Sequence, residues 1–459
     1  MKHTLLRYLP LLVLALMGAP ARGQTEPGGG ATPAASQLPQ AASEGDALAP
    51  GDEVDRGPEA RPDANGDDDT PDSRSFTSPD QVQNLLDDQQ QDAPSWIEAD
   101  WLEGWKGWKS DLYDDTGLNF GGDYNALLFA ATDSLGEDTA SSGVFRLYGH
   151  WDLIGRGTND TGGLIFKIEH RHRYGSVAPS AFGGEVGYLG ALQTTFTDVG
   201  YRTTNLYWRQ SFADQRFVVY AGFVDSTDFL DVYALASPWT GFNNLVFATG
   251  SATIGGLPDG ALGAMGALWL TDSLYTIASL TDANADATDI TDGFDTFFNE
   301  FETLKTLEVG WAPERERALL EKISVSFWHI DEASTKGTPS GWGVSGSATV
   351  TIHDEWLAFL RGGWADDGGS LNEGSVSVGF GYQPDPNGSL LALGLNWGRP
   401  NRGTFPGDPD DQFTSELFYR CQVSPNLQVT PSVQLLVDPA ANPEEDVVAV
   451  FGIRARYTF

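Results

Sequence analysis

The stretch that decides the fold is the last one, Val447-Val448-Ala449-Val450-Phe451-Gly452-Ile453-Arg454-Ala455-Arg456-Tyr457-Thr458-Phe459. Val447, Ala449, Phe451, Ile453, Ala455, Tyr457 and Phe459 are apolar, and the residues between them are smaller or polar. A period of two puts these sets on opposite faces of a strand. The chain ends with Tyr457 and Phe459 on the apolar face, as an assembly signal does on the last strand of an outer-membrane barrel. The run before it repeats the pattern, with Leu427, Val429, Pro431, Val433, Leu435 and Val437 against Gln428, Thr430, Ser432 and Gln434. So does the one before that, where Leu417, Tyr419, Cys421 and Val423 alternate with Glu416, Phe418, Arg420 and Gln422.

Working back toward residue 117, sixteen such runs of 8–13 residues can be marked, separated by turn-rich stretches such as Gln383-Pro384-Asp385-Pro386-Asn387-Gly388. A secreted glycan-binding β-sandwich and a transmembrane barrel both use amphipathic strands. No linker interrupts the chain after residue 95, and the small Gly/Ser/Thr/Arg/Glu face suits a wet interior with the apolar face outward. Only a closed barrel lets strands cross lipid without unpaired backbone groups. The expected fold is therefore all-β, a transmembrane antiparallel barrel of about 16 strands.

Composition narrows the rest. The chain of 459 residues has 64 Asp+Glu against 27 Lys+Arg and a formal charge of −37, unsuited to nucleic acid. A single cysteine, Cys421, excludes an intrachain disulfide framework and multi-Cys metal sites. Residues 1–23 read as a secretory signal, with basic Lys2, His3 and Arg7 ahead of an apolar run and small residues at the cleavage point. Residues 24–94 are rich in Ala, Pro, Gly, Gln and Asp and carry −13, a composition expected to stay disordered. Residues 95–116 hold Trp96, Trp101, Trp105 and Trp108 and read as a short helical or plug-like lead-in to the barrel at 117–459.

The closing strands also carry a resemblance. Glu416-Leu417-Phe418-Tyr419-Arg420-Cys421-Gln422, Ser424-Pro425, Leu427-Gln428-Val429-Thr430-Pro431, Asn442-Pro443 and the final Phe459 resemble the carbohydrate-selective (OprB-like) porins. Trp208-Arg209-Gln210-Ser211-Phe212, Arg216-Phe217, Ala221-Gly222, Asp225 and Phe229 are similar to that family's central strand pair, and Gly107-Trp108 to Gly117-Leu118 to its opening. The resemblance implies a 16-stranded outer-membrane barrel, usually trimeric, that passes glucose-type sugars by passive diffusion through a loop-constricted lumen. A general or cation-preferring porin is the alternative.

Strand parity points Arg146, Arg209, Glu416, Arg420, Arg454 and Arg456 into the lumen, as a ladder for solute or as an ion-pair network of the wall. Residues 225–244 lack alternation and are the expected constriction loop, with Asp225, Asp228, Trp239 and Asn243 facing the pore. His170 and His172 share a face with Leu164, Phe166 and Ile168, which places them at the membrane edge rather than around a metal. No catalytic constellation, metal site or cofactor motif stands out, so an enzyme is not expected. The expected partners are sugars, outer-membrane lipid, two further copies in a homotrimer, and the barrel-assembly machinery, which would engage Phe459. The expected location is the outer membrane, with the N-terminal extension in the periplasm.

Overall fold

All sixteen alternating runs become strands. The computed structural model describes residues 76–90, 94–97, 102–385 and 388–459. The strands are β1 Leu118–Ala131, β2 Thr139–Ile154, β3 Gly162–Arg173, β4 Gly200–Phe212, β5 Phe217–Val224, β6 Ala261–Trp269, β7 Leu274–Asp282 and β8 Thr303–Trp311. They continue as β9 Lys322–Ile330, β10 Gly341–Ile352, β11 Trp356–Asp367, β12 Asn372–Tyr382, β13 Leu390–Pro400, β14 Gln412–Ser424, β15 Leu427–Val437 and β16 Val447–Thr458. Each pairs antiparallel with its sequence neighbours, and β1 pairs with β16 from Asp123 opposite Thr458 to Ala131 opposite Val450. That last pairing closes one sheet on itself and leaves no open edge, which excludes the two-sheet sandwich.

The apolar face is the outer one. On β16, Phe451 and Ile453 are 56% and 49% exposed while Val448, Val450, Arg454 and Arg456 are buried. Aromatic residues collect at both rims of this surface, where amphipathic rings meet headgroups. Trp342 and Trp364 pack 5.1 Å apart at one rim, and Trp356 and Tyr382 pack 4.5 Å apart at the other. The histidines follow the same logic: His172 hydrogen-bonds the Tyr124 hydroxyl at 3.1 Å and His170 meets the Tyr201 ring at 4.5 Å, on the outward face.

Connections leaving odd-numbered strands include 174–199, 225–260 and 283–302, whereas 353–355 and 425–426 join even-numbered strands to the next. The barrel thus has a long-loop end and a short-turn end, and β1 starts and β16 finishes at the latter. There the chain end is pinned: Phe459 N–H donates to Gly122 O at 3.0 Å, and its ring stacks 6.0 Å from Phe145 on the outer face.

Two helices precede β1, α1 Val82–Gln90 and α2 Glu103–Thr116. The 24–94 stretch expected to be disordered is not so throughout, because Phe76, Gln81, Val82, Leu85 and Leu86 are buried against strand side chains. Four of that stretch's seven larger apolar residues lie here, and the barrel interior supplies the surface they need. The signal at 1–23 and the extension up to residue 75 lie outside the described residues. The lead-in forms α2 against the outside of β1. α2 buries no residue, and its Trp105 and Trp108 stack 5.0 Å apart and meet Phe120 edge-on, on the outward face of β1. Gly117 ends α2 at φ 77°, donating its N–H to Tyr113 O, a conformation that costs glycine nothing. Trp101 lies outside the described residues.

Candidate functional site: the constricted lumen

The 36-residue connection between β5 and β6, residues 225–260, folds into the barrel instead of away from it. A buried loop exposes backbone groups that need partners, and wall side chains supply them. Glu416 accepts from Asn243 N at 2.8 Å, Asn243 Nδ2 at 3.0 Å and Asn244 N at 2.9 Å. Arg454 donates to the carbonyls of Pro238 and Gly241, both at 2.8 Å, and to Asn243 Oδ1 at 2.9 Å. Arg420 reaches Thr240 O at 3.4 Å. From β11, Arg361 pairs with Asp231 at 2.7 Å and donates to Ala248 O at 3.0 Å. The loop is held in the lumen by charge-assisted bonds from β11, β14 and β16.

Within the loop, Asp225 opens a turn by accepting from Thr227 N at 2.9 Å. Burial pushes its carboxyl up to about 7, and the neighbouring charges of Asp228 and Asp259 add to the rise. Asp228 bonds Lys167 at 3.1 Å and Asn205 at 2.8 Å. Burial also raises the carboxyl of Asp231, against the pull of Arg361. Trp239 lies flat beneath Arg146, whose guanidinium carbon is 4.1 Å from the ring centroid, a cation–π contact in a buried setting.

The structure brings Arg146, Arg454, Arg456, Glu416, Trp239 and Asn243 into one region and puts Asp228 and Arg420 at its borders. Arg146 binds Asp123 through Nε at 2.8 Å and Nη2 at 2.5 Å, and Arg456 Nε binds the same carboxylate at 3.1 Å. Arg209 is set apart, donating to Thr161 Oγ1 at 2.9 Å near the short-turn end. The roles are split. Glu416 and Arg454 hold the loop, whereas Arg146 and Arg456 share a carboxylate in the wall.

Parity reading missed several partners. Lys167, Glu169 and Arg171 alternate along β3 with Ile168 and His170, and all three point inward and are buried. Arg171 pairs with Glu169 at 2.5 Å. The signal is three charged residues at i, i+2 and i+4, on the face opposite that of His170 and His172. Asp123, the hub of the arginines, stands among Gly121, Gly122 and Asn125 with nothing to distinguish it from any other acid of this chain. Asp231, Glu308 and Arg361 meet across 130 residues of sequence, a distance that strand parity does not bridge.

Comparison with known proteins agrees with this architecture. Residues 331–459 match the family described as carbohydrate-selective porin, OprB family. Among solved structures, Pseudomonas putida OprB at high pH superposes with a TM-score of 0.63 at 16% identity, covering 80% of this chain and 99% of that one. The low-pH structure of the same protein gives 0.47 at 14% identity over 80% and 100%. A mutant Rh. blastica porin gives 0.43 at 14% identity over 74% and 100%. No curated protein sequence matches the chain.

Proposed function

We propose that this chain is an outer-membrane porin through which small carbohydrates diffuse passively. One observation carries the reading. The stretch matching the carbohydrate-selective family, 331–459, contributes Arg361, Glu416 and Arg454, which hold the constriction loop in the lumen. A narrow polar passage replaces part of a sugar's hydration shell, and binding stays weak enough for exit. Arginine and carboxylate groups give strong hydrogen bonds to hydroxyls, and aromatic faces pack on the apolar faces of sugar rings.

A cation-preferring pore ranks second. The lumen carboxylates Asp123, Glu169, Asp228 and Asp231 each face a cation, while acids such as Asp272, Asp354 and Asp408, 81–92% exposed, stand at the ends of the barrel. The net negative charge therefore does not belong to the lumen wall.

By the usual porin arrangement the short-turn end faces the periplasm, so the N-terminal extension belongs there. Homotrimer assembly and recognition of Phe459 by the barrel-assembly machinery are part of the same proposal. Phe459 and Tyr457 stack 6.4 Å apart on the outer face, where such machinery can reach them.

The test is swelling of liposomes holding the refolded protein, with glucose, a disaccharide, an uncharged amino acid and a non-sugar polyol of matched size. Faster swelling with sugars than with matched solutes supports the proposal. Rates that follow size alone replace it with a general porin.

A further inference from the structure

Residues 76–90 occupy the lumen and touch much of its circumference. Phe76 packs 5.3 Å from the Trp269 ring and 6.0 Å from Tyr275, near the short-turn ends of β6 and β7. The segment then rises to the constriction loop. Ser78 N–H donates to Asp228 O at 2.7 Å, Ser237 Oγ donates to Asp80 Oδ1 at 2.8 Å, and Arg146 Nη1 lies 4.0 Å from Asp80. α1 carries it back down along β1 and β2. Gln89 Nε2 donates to the Tyr148 hydroxyl at 2.5 Å, and Asp88 accepts from Arg456 at 3.3 Å near the short-turn end. The segment is a strap that goes in and comes out at the same end.

The wall it covers is aromatic. Tyr148, Tyr207, Tyr220, Trp269 and Tyr275 point inward and form one buried cluster with Phe76, Val82, Leu85 and Leu86. Gln81 Nε2 donates to the Tyr207 hydroxyl at 3.3 Å. The segment thus packs apolar side chains against this cluster and puts amides on two of its hydroxyls, Tyr207 and Tyr148. A pyranose offers the same combination, C–H groups on its faces and hydroxyls at its edge, and phenol and indole rings suit both.

We propose that Phe76–Gln90 is a resident plug and that the aromatic strip beneath it, Tyr148, Tyr207, Tyr220, Trp269 and Tyr275, is a binding surface for sugar rings that segment and solute occupy in turn. The inference rests on reading the barrel as a sugar pore. α1 has only nine residues and three buried apolar side chains, so its hold on the wall is that of a displaceable element rather than of a strand.

The experiment compares the full chain with Leu85→Asp/Leu86→Asp, which places charges on the apolar face of α1 without altering a strand. Both proteins are first shown to be folded by their heat-dependent gel mobility. Ion current in planar bilayers and liposome swelling with glucose are then measured. Expulsion of the segment is expected to raise both by about fivefold or more. A glucose trisaccharide should block the variant's current, and adding Tyr207→Ala and Trp269→Ala should weaken that block about tenfold, the loss of two stacking faces. Asp80→Ala, which removes the contacts with Ser237 and Arg146, gives an independent and smaller opening should the double variant not fold. Equal currents in the full chain and both variants would overturn the plug. A current whose sugar block ignores the two ring deletions would overturn the binding surface. No current from folded protein with the segment expelled would overturn the pore reading itself.

Discussion

The two sides of the lumen solve the problem of a polar interior differently. On β16 and β1–β3 the wall is charged, and Asp123, Arg146, Lys167, Glu169, Arg171 and Arg456 are buried in mutual contact. On β10 the wall is made of small hydroxyl residues. Ser345, Ser347 and Thr349 point inward, and their hydroxyls have no hydrogen-bond partner among the described residues. A buried charge is expensive unless paired, so the first wall commits its groups to one another and gains fixed geometry. A hydroxyl carries no charge to neutralise, and these three are buried without a fixed partner among the described residues. The charged wall is built on committed pairs, and the hydroxyl wall is not.

The sharpest way to break this comparison is at the hub of the charged wall. Asp123→Ala leaves Arg146 and Arg456 without the carboxylate they share, and loss of one buried partner typically costs about 3–5 kcal/mol. The folded band on unheated gels should disappear at a clearly lower temperature than in the parent. An unchanged temperature would mean that the pairing contributes nothing and that the wall is as tolerant as its opposite. Next in size is Glu416→Gln. It keeps the shape but removes the charge from three hydrogen bonds to the loop backbone and Asn243, with an expected cost of about 1–3 kcal/mol. Here the readout is the loop. Proteolysis within 237–244 should become faster while barrel mobility on gels is retained.

How much of this was legible beforehand follows from the same physics. Every strand could be read because lipid outside and water inside impose a period of two that sequence displays directly, as Val447 to Phe459 shows. Parity also sent Arg146, Glu416, Arg454 and Arg456 inward, and the loss of alternation after Val224 marked the loop. What each charge binds was not legible. Glu416 meets Asn243 across 173 positions and Arg361 meets Asp231 across 130, and those contacts depend on where the inward-folded loop comes to rest against the wall. The docking of the strap in the lumen is illegible for a different reason. Phe76, Val82, Leu85 and Leu86 are too few to bury one another, so composition predicts disorder unless a pre-formed cavity receives them.

A smaller effect belongs to pH. The Asp225 carboxyl, raised to about 7 by burial and by Asp228 and Asp259 against the pull of Lys167, takes up a proton in the fold that the unfolded chain has already lost. Its contribution to stability is complete below the ordinary carboxylate range and is lost as pH rises through about 7. Denaturant midpoints should therefore fall between pH 5 and pH 8, and Asp225→Asn should flatten that slope. A slope that survives the substitution would assign the titration to another group.

The smallest expected effect tests the other side of the comparison. Ser347 stands between Ser324 of β9 and Arg361 of β11 in the strand register, and its hydroxyl bonds to none of the described residues. Removing that oxygen in Ser347→Ala loses no bond within the chain, and alanine fits wherever serine did. Stability should stay within about 0.5 kcal/mol of the parent, measured by the same unheated-gel transition. Sugar flux is a separate matter. The hydroxyl is buried away from passing solute, so swelling with glucose and with the matched non-sugar should both stay at the parent's rate. A destabilisation near that of Asp123→Ala would show instead that ordered water ties Ser345, Ser347 and Thr349 into a network, and that both walls are built on fixed partners.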